Sequence, residues 1–205
     1  MDRMLRRGVL VVLEGIDGSG KTTQARALLR RLRARGYEAA LFREPTRGRW
    51  GRTIKRLAAR ADSLTPAEEL ELFVKDRREN VAKNLIPALE AGKVVVLDRY
   101  YFSTIAYQGA KGLDAGKIRR MNEAFAVKPD LVVILDVEAE AGLARIRGRK
   151  TRDELFERED YLLRVRKIFR DLKGPKIVHL DGRGSRRAIA RAIWANVEPR
   201  LPPIR

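Results

Sequence analysis

Cysteine is absent from the 205 residues, which excludes a disulfide framework and any thiolate-held metal. The single histidine, His179, excludes a multi-histidine metal centre. Aromatic residues are only 6% of the chain, and they do not stud its basic stretches as they do in single-strand nucleic-acid grooves, so no specific nucleic-acid partner is expected. No apolar run approaches the about 18 residues that cross a bilayer, and no membrane partner is expected. The opening stretch, Met1 to Gly15, has basic residues before apolar ones, as a signal peptide does. Its apolar run, Val9–Leu13, is shorter than the about 7–15 residues of a secretory core. A soluble, intracellular and cytoplasmic chain is the expectation. Acidic residues are the scarce side of the charge balance, 27 against 45 Lys and Arg, which leaves +18. That excess points to an anionic partner: nucleotide, nucleic acid or acidic surface. Arg is scattered over the whole chain with no block of five like charges, so Arg-rich stretches such as Ala25–Arg35 and Arg186–Arg191 read most simply as solvated helix faces.

What is present is an alternation of two periods. Val9–Leu13, Val94–Leu97, Leu131–Asp136 and Lys176–Leu180 are short Val/Leu/Ile-rich runs with polar ends, and Glu38–Phe42 is a weaker fifth. Such runs read as strands buried on both faces. Helical patterns lie between them at Lys21–Arg35, Ala115–Ala126, Ala139–Arg147, Glu154–Leu172 and Ser185–Val197. Another opens at Thr65, an N-cap before Pro66 with Glu68 three residues on, and runs to about Ala91, where Gly92 stops it. Strands alternating with helices predict an α/β fold with a parallel sheet covered on both sides. The length fits one domain, residues 1–205. The tail from Pro199 to Arg205 carries three prolines and is expected on the surface.

The most specific local pattern follows the first strand. Gly15 to Thr22 spells G-x-x-x-x-G-K-T between an apolar run and a helix, the context in which a Gly-rich loop cradles phosphates. Gly15, Gly18 and Gly20 let backbone N–H groups wrap a phosphate, with Ile16, Asp17 and Ser19 between them. Lys21 brings a positive charge to the β- and γ-phosphates, Thr22 a hydroxyl for Mg²⁺, and Thr23 continues the helix N-terminus. A nucleoside triphosphate is implied; kinase, GTPase and motor remain open.

Asp98 and Arg99 stand at the end of the second strong apolar run, the edge at which open α/β sheets bind ligands. Arg99 suits a phosphate and Asp98 suits Mg²⁺ or its water, while a simple local ion pair between them stays open. Tyr100, Tyr101, Phe102 and Tyr107 crowd the next helix, some of them as core. Arg43 to Thr46, R-E-P-T, ends the weak strand, with Arg47 and Arg49 after it; a solvated loop and a second phosphate clamp both fit. Phe73 and Arg77 are spaced i, i+4 on one helical face, either as stacking platform and hydrogen-bond donor for a base or as core Phe beside surface Arg.

In order along the chain, EGIDGSGKTTQ, REPT, LFVKDR, DRYYFSTIAYQG and PDLVVILDV resemble the thymidylate kinase family, from about Gly8 to Ala195. The phosphate loop is generic; D-R-Y followed by S-x-x-A-Y-Q is much more specific. The resemblance implies a three-layer P-loop kinase fold with a five-stranded parallel sheet, and transfer of the γ-phosphoryl of ATP to dTMP with Mg²⁺. It also implies a homodimer. By position it makes Phe73 the platform under thymine and Arg77 the donor to a thymine oxygen. Arg99 contacts the dTMP phosphate and bridges toward the donor, and Asp98 stands beside the metal. Asp17 faces the acceptor near its sugar. Ser103 and Thr104 contact the base, Tyr107 lies against the deoxyribose and Gln108 is adjacent, while Glu44 and Arg47 border the acceptor phosphate. Some members carry an Arg inside the phosphate loop, where this chain has Gly18 or Ser19. It resembles instead the members with catalytic Arg in a mobile lid, here about residues 145–157, with Arg147 and Arg149 favoured, then Arg152. TRGRWG in place of a Gly-Gly-Thr turn, and Glu79 and Asn80 where many members have a His, are departures on the acceptor side. Another nucleotide kinase of this fold, a nucleic-acid-stimulated ATPase and a non-catalytic binding relative are the rival readings. His179 reads as structural.

Overall fold

A computed structural model of the protein describes residues 8–58, 64–145 and 152–203, with backbone alone for 152–158. Along it run β1 (Val9–Glu14), α1 (Lys21–Ala34), β2 (Ala39–Arg43), α2 (Arg49–Ala58), α3 (Pro66–Asn80), α4 (Ile86–Glu90), β3 (Val94–Asp98), α5 (Tyr101–Gly109), α6 (Ala115–Glu123), β4 (Leu131–Asp136), α7 (Ala139–Arg145), α8 (Arg152–Asp171), β5 (Ile177–Asp181) and α9 (Arg186–Val197).

The five strands form one parallel sheet in the order β2-β3-β1-β4-β5. Val11 of the central strand lies opposite Val96 on one side and Leu131 on the other. Because side chains alternate across a strand, Leu10, Val12, Val95, Leu97, Val132 and Ile134 enter one layer with Val74, Leu85, Ile105, Val165 and Phe169. Val9, Val11, Leu13, Val94, Val96 and Val133 enter the other with Leu28, Leu32, Ile193 and Val197. Each such side chain, fully buried, contributes about 1.5–3 kcal/mol. Burial on both faces is why these strands read as continuous apolar runs. The weak fifth run is β2, an edge strand and only half-buried.

The predicted three-layer α/β architecture with its five-stranded parallel sheet is the one observed. Four expectations need correction. The stretch after Arg47 is not all loop, since α2 occupies residues 49–58. The helix that opens at Thr65 is not uniform to Ala91: a π turn, Val81–Leu85, separates α3 from α4, with Ile86 N–H reaching back to Val81 O just before Pro87. A proline lacks an N–H and clashes with the carbonyl four residues back, so a local change of helical period absorbs it. The last strand runs one residue later, to Asp181. The stretch expected as a lid, about residues 145–157, is helical where it is described, with Arg145 in α7 and residues 152–157 in α8, while residues 146–151 lie outside the described residues.

The Thr65 cap is as expected. Its hydroxyl accepts from Glu68 N–H at 3.2 Å and the Glu68 carboxylate accepts from Thr65 N–H at 2.8 Å, a reciprocal pair whose loss costs a helix about 1 kcal/mol. His179 in β5 has its Nε2 2.8 Å from Leu172 O, a structural contact.

Candidate functional site

Helix α1 follows β1 into one layer and α5 follows β3 into the other. Neighbouring strands that send their chains to opposite faces leave a crevice between their carboxyl ends. Residues 15–20 and the Asp98–Arg99 pair sit on its two sides.

The loop from Gly15 to Gly20 is folded to take a phosphate. Gly15, Gly18 and Gly20 have φ of 138°, 78° and 92°, values that favour glycine. Gly18 also packs against α7: a Cβ there would meet Gly142 O at 2.1 Å. Ile16 is buried beneath the loop and Thr23 is exposed beyond it. Lys21 is buried, its Nζ donating to Ile16 O at 2.7 Å and Ser19 Oγ at 3.2 Å. Burial first, and Arg99 second, push its amine down to about 7, against the pull of Asp17, Asp98 and Glu14. The neighbouring Arg145 donates to Gly18 O at 3.2 Å. Arg147 and Arg149, the favoured lid residues, lie outside the described residues, and of Arg152 only the backbone is described.

Thr22 Oγ1 donates to Asp98 Oδ2 at 2.6 Å. Among the described residues Asp98 Oδ1 is buried without a hydrogen-bond partner, and Arg43 Nε lies 3.8 Å from Oδ2. A buried carboxylate oxygen left unpaired is costly. Beside a threonine hydroxyl at the mouth of a phosphate loop, it fits a hard divalent cation, for which oxygen donors are the natural ligands.

Across the crevice, Asp17, Glu44, Phe73, Arg77, Arg99, Ser103, Thr104, Tyr107 and Gln108 line one cavity. The structure therefore brings together nine of the residues proposed to bind the acceptor. Arg77 is 1% exposed, which separates it from the surface-Arg alternative. It donates through Nε to Glu44 (2.8 Å), through Nη1 to Asn122 (2.6 Å) and through Nη2 to Thr104 (3.0 Å). Five N–H groups on a guanidinium leave two for a ligand. Burial pushes the Glu44 carboxyl up, and Arg77 opposes it. Phe73 is half-buried at the cavity wall. Tyr107 Oη accepts from Asp17 N–H at 3.0 Å, tying the cavity to the phosphate loop; burial raises its phenol to about 12. Gln108 gives its amide N–H to Glu69 at 2.8 Å, and its buried Oε1 has no hydrogen-bond partner among the described residues.

Arg99 joins the two halves. It does not pair with Asp98. Its Nη2 donates to Asp17 Oδ1 at 2.5 Å and its Nη1 to Ser103 Oγ at 3.0 Å. Its φ of +73° is the one positive value outside glycine among the described residues, and such a conformation costs on the order of 1–3 kcal/mol and is found where function holds it. Burial would lower its guanidinium, but Tyr107, Asp17 and Glu14 outweigh it and keep it fully charged. Arg47 is placed elsewhere: it is exposed on a second cavity with Thr22, Arg26, Arg43, Lys55 and Asp98.

Sequence reasoning passed over four side chains that build this site. Glu14 closes β1 and binds the start of α5. Asn122 receives Arg77. Asp76 accepts from Thr46 N–H at 2.8 Å and its hydroxyl at 2.6 Å, pinning the loop after β2. Glu69 holds Gln108. The signal for Glu14 was available, as a charge closing an otherwise apolar strand; Asn122 carries none, being a lone polar residue in an ordinary helix.

Comparison with known proteins gives a consistent result. A family model described as thymidylate kinase matches residues 13–193. The chain is 50% identical over 161 residues to a probable thymidylate kinase of Archaeoglobus fulgidus, covering 78% of this chain and 80% of that one. It is 42% identical to a thymidylate kinase of Akkermansia muciniphila over 97% and 96% of the two chains. With a thymidylate kinase of Desulfotalea psychrophila the identity is 43%, over 95% and 96%.

Proposed function

The chain belongs to the thymidylate kinase family, and from that premise we propose how its residues carry the γ-phosphoryl group of ATP to dTMP. It is a kinase that phosphorylates dTMP, giving dTDP. The observation that carries the residue assignment is the position of Arg99, which lines the acceptor cavity while bonded to Asp17 of the phosphate loop.

Donor and acceptor are both polyanions, so charge repulsion is the first barrier. The loop from Gly15 to Thr23 holds the ATP phosphates by backbone N–H groups, and Lys21 leaves its contacts with Ile16 and Ser19 for a phosphate oxygen. Phe73 stacks on thymine. Arg77 spends its two remaining N–H groups on a base oxygen, and Thr104 and Gln108 complete the base site. Tyr107 borders the sugar, with Asp17 beside it, and Glu44 keeps Arg77 in place. Thr22 and Asp98 would hold Mg²⁺, which would offset phosphate charge. A dTMP phosphate oxygen is already ionised near neutral pH and needs no general base. It forms a bond to the γ-phosphorus as the bond to the bridging oxygen of ADP breaks, and Arg99 faces the charge on the transferring group. Arg147 and Arg149 supply further charge from the lid. Arg47, off the acceptor cavity and beside Thr22 and Asp98, adds positive charge on that side. Residues 1–205 act as one domain and pair as a homodimer. The reading puts the enzyme in the cytoplasm, where its nucleotide substrates are, and gives it no nucleic-acid partner.

The test is ADP release with ATP and Mg²⁺ against dTMP, dUMP, UMP, dCMP, dAMP and dGMP, with DNA as control. Selective turnover of dTMP, with UMP negligible, supports the base and sugar assignments. ATPase activity stimulated by DNA, with no turnover of monophosphates, overturns them. Arg99→Ala is expected to keep the fold and lose about 10³-fold or more in kcat, as for arginine residues that act in phosphoryl-transfer transition states.

A further inference from the structure

We propose that Glu14 is the positioning residue for Arg99: its buried carboxylate caps the first turn of α5 and, through the Ser103 hydroxyl, fixes the guanidinium where the phosphate loop meets the acceptor cavity. Glu14 is fully buried at the carboxyl end of the central strand. Its Oε1 accepts from Tyr100 N–H at 2.7 Å and Ser103 N–H at 3.2 Å, and its Oε2 from Ser103 Oγ at 2.6 Å. They lie at the start of a helix whose own N-cap residue, Tyr100, offers no side-chain cap, and Ser103 N–H is shared with Tyr100 O at 3.1 Å. A charge from another strand does the capping.

The Ser103 hydroxyl donates to Glu14 Oε2, and in its ionised form Glu14 only accepts, so the one hydroxyl proton of Ser103 then goes to it. The lone pairs of that oxygen are then the atoms left facing Arg99 Nη1, 3.0 Å away. The same carboxylate holds Tyr100 N–H, the peptide that follows the positive-φ residue, so the backbone and the side chain of Arg99 are set from one anchor. Among the described residues the hydrogen bonds that reach the Glu14 carboxylate come from the start of α5, while Lys21 gives Nζ hydrogen bonds to Ile16 and Ser19. Burial pushes the Glu14 carboxyl up to about 7, opposed by Ser103, Arg99, Tyr100 N–H and Lys21. A group so costly to bury is kept for its contacts.

The inference rests on the transfer role proposed for Arg99, and a double-mutant cycle separates the two. Glu14→Gln keeps the size and one acceptor oxygen but turns an N–H toward Ser103. We expect kcat to fall about 10²-fold, the scale of a small misplacement of a reacting group, with KM for ATP and for dTMP nearly unchanged. In the Arg99→Ala background, measured by single turnover, Glu14→Gln should add no further loss, since residues acting as one unit are not additive. A wild-type kcat in Glu14→Gln overturns the proposal, and so do losses that multiply in the double variant. Wild-type activity of Arg99→Ala instead removes the role of Arg99 itself. If Glu14→Gln does not fold, Ser103→Ala enters the same cycle. It leaves the carboxylate in place and removes the hydroxyl, and a kcat loss independent of Arg99 overturns the proposal.

Discussion

Lys21 illustrates how a single side chain is held away from its comfortable state until a ligand arrives. Buried beside Arg99, its amine titrates near 7 rather than 10.5, so near neutrality only part of the free enzyme carries that charge. A triphosphate restores it. Below pH 7 the amine is already charged and binding takes up little; above it, each unit of pH costs about 1.4 kcal/mol to reprotonate the group. ATP binding should therefore take up a proton between about pH 7 and 9, and affinity should fall by up to about tenfold per unit over that range. Calorimetry in two buffers of different ionisation enthalpy measures the uptake. Equal apparent enthalpies at pH 8 reject a depressed Lys21. At this scale the sequence was most informative where chemistry fixes spacing: Gly15, Lys21, Thr22, Asp98 and Arg99 belong to patterns that strand and loop geometry allow in few other ways. Asn122 and Asp76 were not legible, because each matters only through a partner, Arg77 or Thr46, at least 30 residues away.

Contacts between elements add what no single residue shows. Helix α7 crosses the phosphate loop so closely that a Cβ on Gly142 would sit 2.6 Å from Asp17 O. Gly142→Ala must push either the loop or the helix aside, and overpacking of this kind costs about 1–3 kcal/mol. We expect a lower melting temperature and a KM for ATP raised several-fold, more than that for dTMP; an unchanged KM for ATP would show that α7 yields rather than the loop. The strands were legible because both their faces are buried, and the cap at Thr65 because its chemistry is local. Helix α2 was missed although Trp50, Ile54 and Leu57 recur at i, i+4 and i+7. Gly48, Gly51 and Thr53 mask that stripe by lowering local propensity. The π turn before Pro87 has no signature of its own, since the bond it rearranges is backbone to backbone.

The whole molecule carries +18, and its substrates are anions. Attraction at a distance should hasten their capture at low salt, where the Debye length is about 30 Å, and fade at 1 M, where it is about 3 Å. Accordingly kcat/KM for both nucleotides should drop as salt rises from about 0.01 to about 1 M. The kcat itself should change much less, because Arg99 and Lys21 are sheltered from solvent. A flat kcat/KM would mean the excess charge is merely solvated. Strand order has a consequence of another kind, in time rather than space. The strand that leads into the phosphate loop is made first, yet its neighbours in the sheet are β3 and β4, and Val11 must wait for Val96 and then Leu131. Non-local pairing of this sort is slow, since long loops close before any contact rewards them. During synthesis the loop that gives the protein its chemistry therefore stays unframed until about two-thirds of the chain has emerged. Shorter nascent chains carry the motif without the site.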